Sequence, residues 1–259
     1  MPASRWIVSS LRLCAAFLCN LAVFADPADL EAAEPASTPS PAVKTVYLTF
    51  DDGPSELTPA LLDVLKEHET AATFFVCGNV TEFGNTVYKR ILDEGHALGN
   101  HTFSHRYSVV YKSADAFEKN VARLDDLFFQ FTKTRPRLLR FPAGSNNRIT
   151  RGPNGKSITH ELVNRMAKLG YRHVDWNVDS LDHGVNAKNS EAIAKTVIEG
   201  VLKRDQAIVL MHDSYTHAAT VAAVPVIIRE LRPKGYVFRP LSETSYTVQF
   251  LKAQPVNCP

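Results

Sequence analysis

The run Val46-Tyr47-Leu48-Thr49-Phe50-Asp51-Asp52-Gly53-Pro54-Ser55 decides the reading of this chain. Its first half is short and apolar, and its second half is rich in the turn formers Asp, Gly and Pro. An apolar run of this length bounded by turn residues reads as a buried strand that ends on polar groups. The same grammar recurs downstream. Apolar runs at 46–50, 72–76, 97–99, 138–141, 173–176, 207–211 and 237–239 alternate with helical patterns at 59–67, 86–94, 114–131, 157–169, 190–202 and 220–231. Glu94-Gly95, Leu169-Gly170 and Lys234-Gly235 place a glycine where a helix stops. Strand then helix, repeated about seven times, predicts an α/β fold with a parallel sheet. A doubly wound sheet and a barrel share this linear pattern, and both set their sites at the C-terminal ends of strands.

The 259 residues, 45% hydrophobic and 22% charged, suit an ordinary globular protein that folds without staples. A net charge of +2 gives no case for a nucleic-acid partner or an acidic membrane surface. Arg5 and Arg12 flank the start of an apolar run at 13–25 that ends Val23-Phe24-Ala25, before Asp26-Pro27. This run is short for a bilayer span and has a signal peptide's small-residue end, which predicts a cleaved leader over 1–25 and a secreted or periplasmic protein. A retained anchor is the other reading of the run. No segment after residue 25 is long and apolar enough to span a membrane. Residues 26–43, rich in Ala, Pro, Ser and Glu, read as a disordered linker, with the folded domain over 44–259. Cys77 and Cys258 are the cysteines left after cleavage; Cys77 reads as a core residue, and nothing in the sequence demands that the two pair.

Polar clusters follow five of the strands: Asp51-Asp52-Gly53-Pro54-Ser55, His101-Thr102-Phe103-Ser104-His105, Arg140-Phe141-Pro142-Ala143-Gly144, Asp179-Ser180-Leu181-Asp182 and His212-Asp213. In a parallel α/β fold these ends share one face, so distant residues converge on one pocket. Asp51-Asp52 alone fits a plain turn, but adjacent carboxylates at a strand end repel each other unless a cation sits nearby. His101 and His105 share a face if their segment turns helically, and with Asp52 they make two imidazoles and a carboxylate, a catalytic zinc pattern with open positions. His212 ends a buried-looking run. His68, His96, His160, His173 and His217 lack comparable settings and read as structural or surface groups. Trp176 fits either the core or a groove wall on which a sugar ring stacks.

Taken together and in order, the five clusters resemble the polysaccharide deacetylase family, also called the NodB-homology or carbohydrate esterase family 4 domain, over about residues 44–241. The resemblance implies a distorted (β/α) barrel with seven or eight parallel strands. It implies a divalent metal, usually Zn2+ with Co2+ or another ion as alternatives, held by Asp52, His101 and His105. Asp51 would be the general base, oriented by Arg140. His212 would be the general acid, tuned by Asp182. Leu210 would line the pocket for the acetyl methyl, and the backbone N–H of Ala143 would face the oxyanion.

The chain departs from the pattern twice. Ala143 stands where the third motif often has an aromatic residue, and His183 stands where the fourth often reads Asp-Trp. Trp176 would then supply a wall and His183 a polar contact to substrate. Asn146, Asn147 and Arg148, in a loop that continues through Gly152-Pro153-Asn154-Gly155, are further candidate glycan contacts. The partner expected is an N-acetylated glycan, peptidoglycan first. The alternatives are a chitin-oligosaccharide deacetylase, an O-acetyl xylan esterase, or an inactive glycan-binding protein on the same fold.

Overall fold

A computed structural model describes residues 43–149 and 157–254. The expected leader and linker, Cys258 and the Gly152–Gly155 stretch lie outside the described residues.

Eight strands and seven helices follow in the order β1 (Thr45–Asp51), α1 (Thr58–Glu67), β2 (Thr73–Val76), α2 (Glu82–Asp93), β3 (Ala97–Asn100), α3 (Tyr107–Val110), α4 (Ala114–Thr132), β4 (Leu138–Leu139), α5 (Thr159–Lys168), β5 (Arg172–His173), β6 (Val178–Asp179), α6 (Ser190–Val201), β7 (Gln206–His212), α7 (Ala218–Leu231) and β8 (Val237–Phe238). Local chemistry sets several helix starts. Thr81, Ser113 and Asn189 each accept a backbone N–H of the first turn of α2, α4 and α6. Gly95, Gly170 and Gly235 take φ of +82°, +82° and +84°, as the helix-stop reading expected.

Every strand pairing is parallel, in the order β5-β4-β3-β2-β1-β7-β6, with β8 on β1. The alternation along β1 and β7 separates two cores. Val46, Leu48, Phe50, Ala207, Val209 and Met211 pack outward against the helices. Tyr47 and Ile208 face inward with Phe75, Leu138 and Val174. The register pairs Tyr47 with Ile208, Thr49 with Leu210 and Asp51 with His212. Side chains of paired residues in a parallel sheet point to the same face. The inner face therefore runs from apolar at the bottom to Asp51 and His212 at the rim.

The sheet curls into a distorted barrel. Val174 N–H bonds the Leu139 carbonyl beside β4, and Asn177 N–H bonds the Ile208 carbonyl of β7, so residues 174–177 bridge two distant strands of the sheet. Here the expected strand–helix alternation breaks. The single strand expected at 173–176 is two short strands, β5 and β6, with no helix between them. Strands of two residues carry no readable period, which is why β6 escapes the sequence. The segment 246–251 covers this seam: the Val248 carbonyl accepts from Asp175 N–H, and Asp175 Oδ2 accepts from Phe250 N–H. Among the described residues no helix is long and apolar enough to cross a membrane.

Candidate active site

The strand ends build a cleft of ≈ 320 Å³ lined by Asp51, Asp52, His101, His105, Tyr107, Ala143, Trp176, His183, Leu210, His212 and His217. Its loops are bent unusually. Seven described non-glycine residues have positive φ, and five of them (Asp52, Thr102, His105, Ala143 and Leu181) lie in the loops after β1, β3, β4 and β6. Such backbone is unfavourable for residues with a Cβ and gathers where a site demands it.

Asp51 is the last residue of β1 and is buried. Its Oδ1 accepts from Arg140 Nη1 at 2.9 Å. Arg140 is wholly buried inside the barrel, its guanidinium 4.2 Å from the Phe75 ring centroid. It also donates to Thr49 Oγ1 at 2.6 Å and to the carbonyls of Val174 and Asp175 at 2.9 and 3.2 Å. A guanidinium satisfied on so many sides has no freedom to turn away from Asp51. Burial pushes the Asp51 carboxyl up to about 6, against the pull of the Arg140 and His212 charges.

Asp52, one residue on, turns out of the strand with φ +77°. Its Oδ1 lies 3.5 Å from His101 Nε2 and 3.3 Å from His105 Nε2. His101 Nδ1 sits 2.8 Å from the Arg140 carbonyl oxygen, which only accepts, so Nδ1 carries the proton and Nε2 presents a lone pair. Burial, the largest influence, lowers the His101 pKa well below its ordinary value and keeps the ring neutral. Asp52 Oδ1 is buried with no hydrogen-bond partner. A buried carboxylate oxygen facing two ring nitrogens, without a donor, is expensive unless a cation satisfies it. The separations are close to the ~3.3 Å between ligands of a tetrahedral site with bonds of about 2.0–2.1 Å. These three residues therefore fit a divalent metal.

His212 ends β7, beside Asp51 in the register. Its Nδ1 donates to Asp182 Oδ1 at 2.8 Å. Asp182 is wholly buried, and its Oδ2 accepts from His212 N–H and from Thr220 Oγ1, both at 2.8 Å. Burial alone would lower the His212 pKa; the Asp182 hydrogen bond and the carboxylates of Asp182, Asp51 and Asp52 outweigh it and raise it to about 9. Asp182 is itself held well below the usual carboxylate range: burial opposes this, but the neighbouring His183 ring and the bonds from His212 and Thr220 prevail.

Several expectations need correction. The His101–His105 segment is not helical; Thr102 and His105 have φ of +67° and +51°, and the turn, not a helix face, brings the two rings to 4.9 Å. His217 is no remote group. It lines the cleft and stacks on His212 with ring centroids 5.1 Å apart, with its Nδ1 held by Ser214 Oγ at 2.8 Å. Asn147 is a buried brace, its amide donating to Tyr111 Oη and to the Pro142 and Gly144 carbonyls, whereas Asn146 and Arg148 are exposed. Cys77 is half-buried beside the site, with Sγ 3.8 Å from the His101 carbonyl oxygen. Trp176 lines the cleft, set edge-on to Phe250. Ala143, Leu210 and His183 line it too.

Sequence reasoning gave no role to Thr49, Tyr107 or Asp213. Tyr107 follows His105 by two residues, and its ring lies 5.4 Å from that imidazole. Asp213 lies wholly buried beneath Gly53, where an added Cβ would meet its carboxylate at 2.4 Å. Its N–H donates to the Asp51 carbonyl, and its Oδ2 accepts from Thr58 Oγ1, which ties the β1 turn to β7 and α1. Only the register that puts Asp51 beside His212 shows this.

A model of the family described as polysaccharide deacetylase matches residues 38–174, a span that holds the first three polar clusters. A peptidoglycan-N-acetylglucosamine deacetylase of Bacillus cereus is 37% identical over 207 residues, covering 78% of this chain and 71% of the relative. The catalytic domain of peptidoglycan N-acetylglucosamine deacetylase from Eubacterium rectale superposes with a TM-score of 0.76 at 32% identity, covering 85% of this chain and 100% of that one. A polysaccharide deacetylase from Bacillus cereus does so with a TM-score of 0.68 at 36% identity, covering 80% and 97%. Motifs, barrel and relatives converge: the chain belongs to the polysaccharide deacetylase family, whose members are deacetylating hydrolases.

Proposed function

We propose that this protein removes N-acetyl groups from the N-acetylglucosamine residues of peptidoglycan, with a divalent metal, most simply Zn2+, held by Asp52, His101 and His105. The observation that carries the reading is one cleft that brings this donor set together with a carboxylate fixed by Arg140 and an imidazole fixed by Asp182. The peptidoglycan deacetylases of Bacillus cereus and Eubacterium rectale, among the similar proteins, support peptidoglycan as the substrate class.

An amide carbonyl is a poor electrophile, and an amine anion is a poor leaving group. When bound, the metal supplies Lewis-acid polarisation and a lowered pKa for water. Asp51 accepts the proton of the water that attacks the acetyl carbon, and Arg140 keeps its carboxylate aimed and ionised near neutral pH. The negative charge that develops on the acetyl oxygen meets the backbone N–H of Ala143. Leu210 walls the space for the methyl group. As the C–N bond breaks, the His212 imidazolium gives its proton to the departing nitrogen, and Asp182 holds the ring in place. Acetate and a free amine leave the cleft. Trp176, with Tyr107, offers aromatic faces to the sugar.

The leader at 1–25, followed by a tether over 26–43 and the catalytic domain over 44–259, supports a protein exported to the cell envelope where its substrate lies. The test is acetate release by the purified protein from peptidoglycan, chitin oligosaccharides and acetylated xylan, with and without a chelator. Release from peptidoglycan that stops with chelator and returns with Zn2+ is expected. Binding without release from any of the three, with metal present, would replace the reading with that of an inactive glycan-binding protein.

A further inference from the structure

We propose that Asp182, His183 and His212 form a second site for a divalent transition metal, and that filling it switches the enzyme off. One donor atom from each of the three residues lies within 4.8 Å of the others. Asp182 Oδ1 is the shared centre: His212 Nδ1 lies 2.8 Å from it and His183 Nδ1 3.8 Å. The two imidazoles face that oxygen from different directions, with centroids 5.4 Å apart and planes at 64°. The other Asp182 oxygen is fully engaged by His212 N–H and Thr220 Oγ1, so the carboxylate cannot rotate Oδ1 away. The pair separations bracket the ~3.3 Å of a tetrahedral site. His183 is half-exposed, which gives an ion access and lets the ring close the longer gap. Asp179 Oδ1, 3.8 Å from the same His183 nitrogen, is a further oxygen at the site's edge.

His183 is the residue that makes the difference, since it stands where resembling sequences often carry Trp, which ligates nothing. The ion forms bonds to His212 Nδ1, Asp182 Oδ1 and His183 Nδ1; the Nδ1 proton of His212 leaves to solvent, and so does one proton from each ionised His183 ring; no electrons are exchanged. A ring bound at Nδ1 is a neutral imidazole and has no imidazolium proton to give to a leaving amine. The site itself stands on geometry alone; its inhibitory effect rests on the reading of His212 as the acid. Because this ion must displace a proton held in a 2.8 Å bond, the Asp52–His101–His105 set, which needs no such displacement, fills first.

The test is a Zn2+ titration of the protein already loaded with one equivalent, at pH 7, followed by calorimetry and by the ring-nitrogen NMR signals of His212. The wild type is expected to take up a second equivalent, release at least one proton and lose the His212 Nδ1–H signal. His183→Ala and His183→Phe, the second restoring an aromatic ring at a half-exposed position, should hold the first equivalent and need about tenfold or more Zn2+ for the second. Acetate release should fall in step with the second equivalent in the wild type. Uptake that stops at one equivalent, or a second equivalent that both variants bind as well as wild type, overturns the site. Protein that binds two equivalents yet releases no acetate from any glycan with one bound would overturn the deacetylase reading and leave the site standing.

Discussion

Asp51 and Asp52 are adjacent in sequence, yet they face different chemistry. The pleat of β1 points Asp51 inward to Arg140, and the left-handed backbone at Asp52 turns its carboxylate to the two histidines. Asp51→Asn keeps an acceptor for Arg140 but removes the proton acceptor. It should lower kcat by about 10²–10⁴-fold while bound metal stays at the wild-type stoichiometry. Activity retained in that variant would remove Asp51 from the role of base. The His212–Asp182 pair predicts the alkaline limb of the pH profile. As the proposed acid, His212 must be protonated to act, and its pKa is raised to about 9, so activity should fall as pH rises through that value. The same shift contributes folding stability in full below the unfolded pKa of about 6.5 and loses it as pH climbs through 9. Asp182→Asn removes the largest supports of the His212 charge and leaves those of Asp51 and Asp52, so the alkaline limb of kcat should move down from about 9. A limb that stays put would mean that Asp182 does not tune His212.

At the scale of elements, the residues before and after each motif do the positioning. Asn100 ends β3 and precedes His101. Its amide donates to Asp125 Oδ1 of α4 at 2.8 Å and to the Val121 carbonyl, and its Oδ1 accepts from Thr102 N–H, the left-handed residue of the histidine turn. Tyr171 Oη donates to the other Asp125 oxygen at 2.6 Å. Asp125→Ala strands both donors in the core and should cost about 1–3 kcal/mol in urea unfolding, with weaker metal retention because the turn after Asn100 loosens. Equal stability to wild type would show that the network is dispensable. The long strands β1 and β7 and the six main helices were legible, since each runs through several periods of its pattern. The short ones were not: β6 and α3 are too brief to show any period.

Across the whole molecule, the barrel is closed at the β5–β6 seam by the chain's last described segment. Ser145 N–H and Oγ bond Asp175, whose Oδ2 also takes Phe250 N–H, while the Leu251 carbonyl meets His173 Nε2 at 2.8 Å. Phe250 sets its ring against Trp176 in the cleft wall. Truncation after Ser245 therefore uncovers Asp175 and frees Trp176. It should lower the urea midpoint and raise KM for glycan more than it lowers kcat, because the groups placed at the reacting bond are not among those removed. A KM equal to that of the full chain would show that the seam does not shape the sugar wall.

The sequence alone determined the strand–helix alternation of an α/β fold, the order of the five polar clusters, and the residue types proposed to hold a metal and move protons. Motif residues announce themselves because their chemistry tolerates few substitutes at a strand end. Only the tertiary structure decided which of them meet. Register places Asp51 beside His212, a left-handed turn rather than a helix joins His101 to His105, and Asp52 stands 49 and 53 positions before those two histidines, so the three meet only when the sheet curls. Contacts such as His217 on His212, Asp213 under Gly53 and His183 beside Asp182 depend on loop conformation and on strands brought together across the barrel, and these leave no periodic signal in the chain. The opening run from Val46 to Ser55 thus names the chemistry, and the curl of the sheet assembles it.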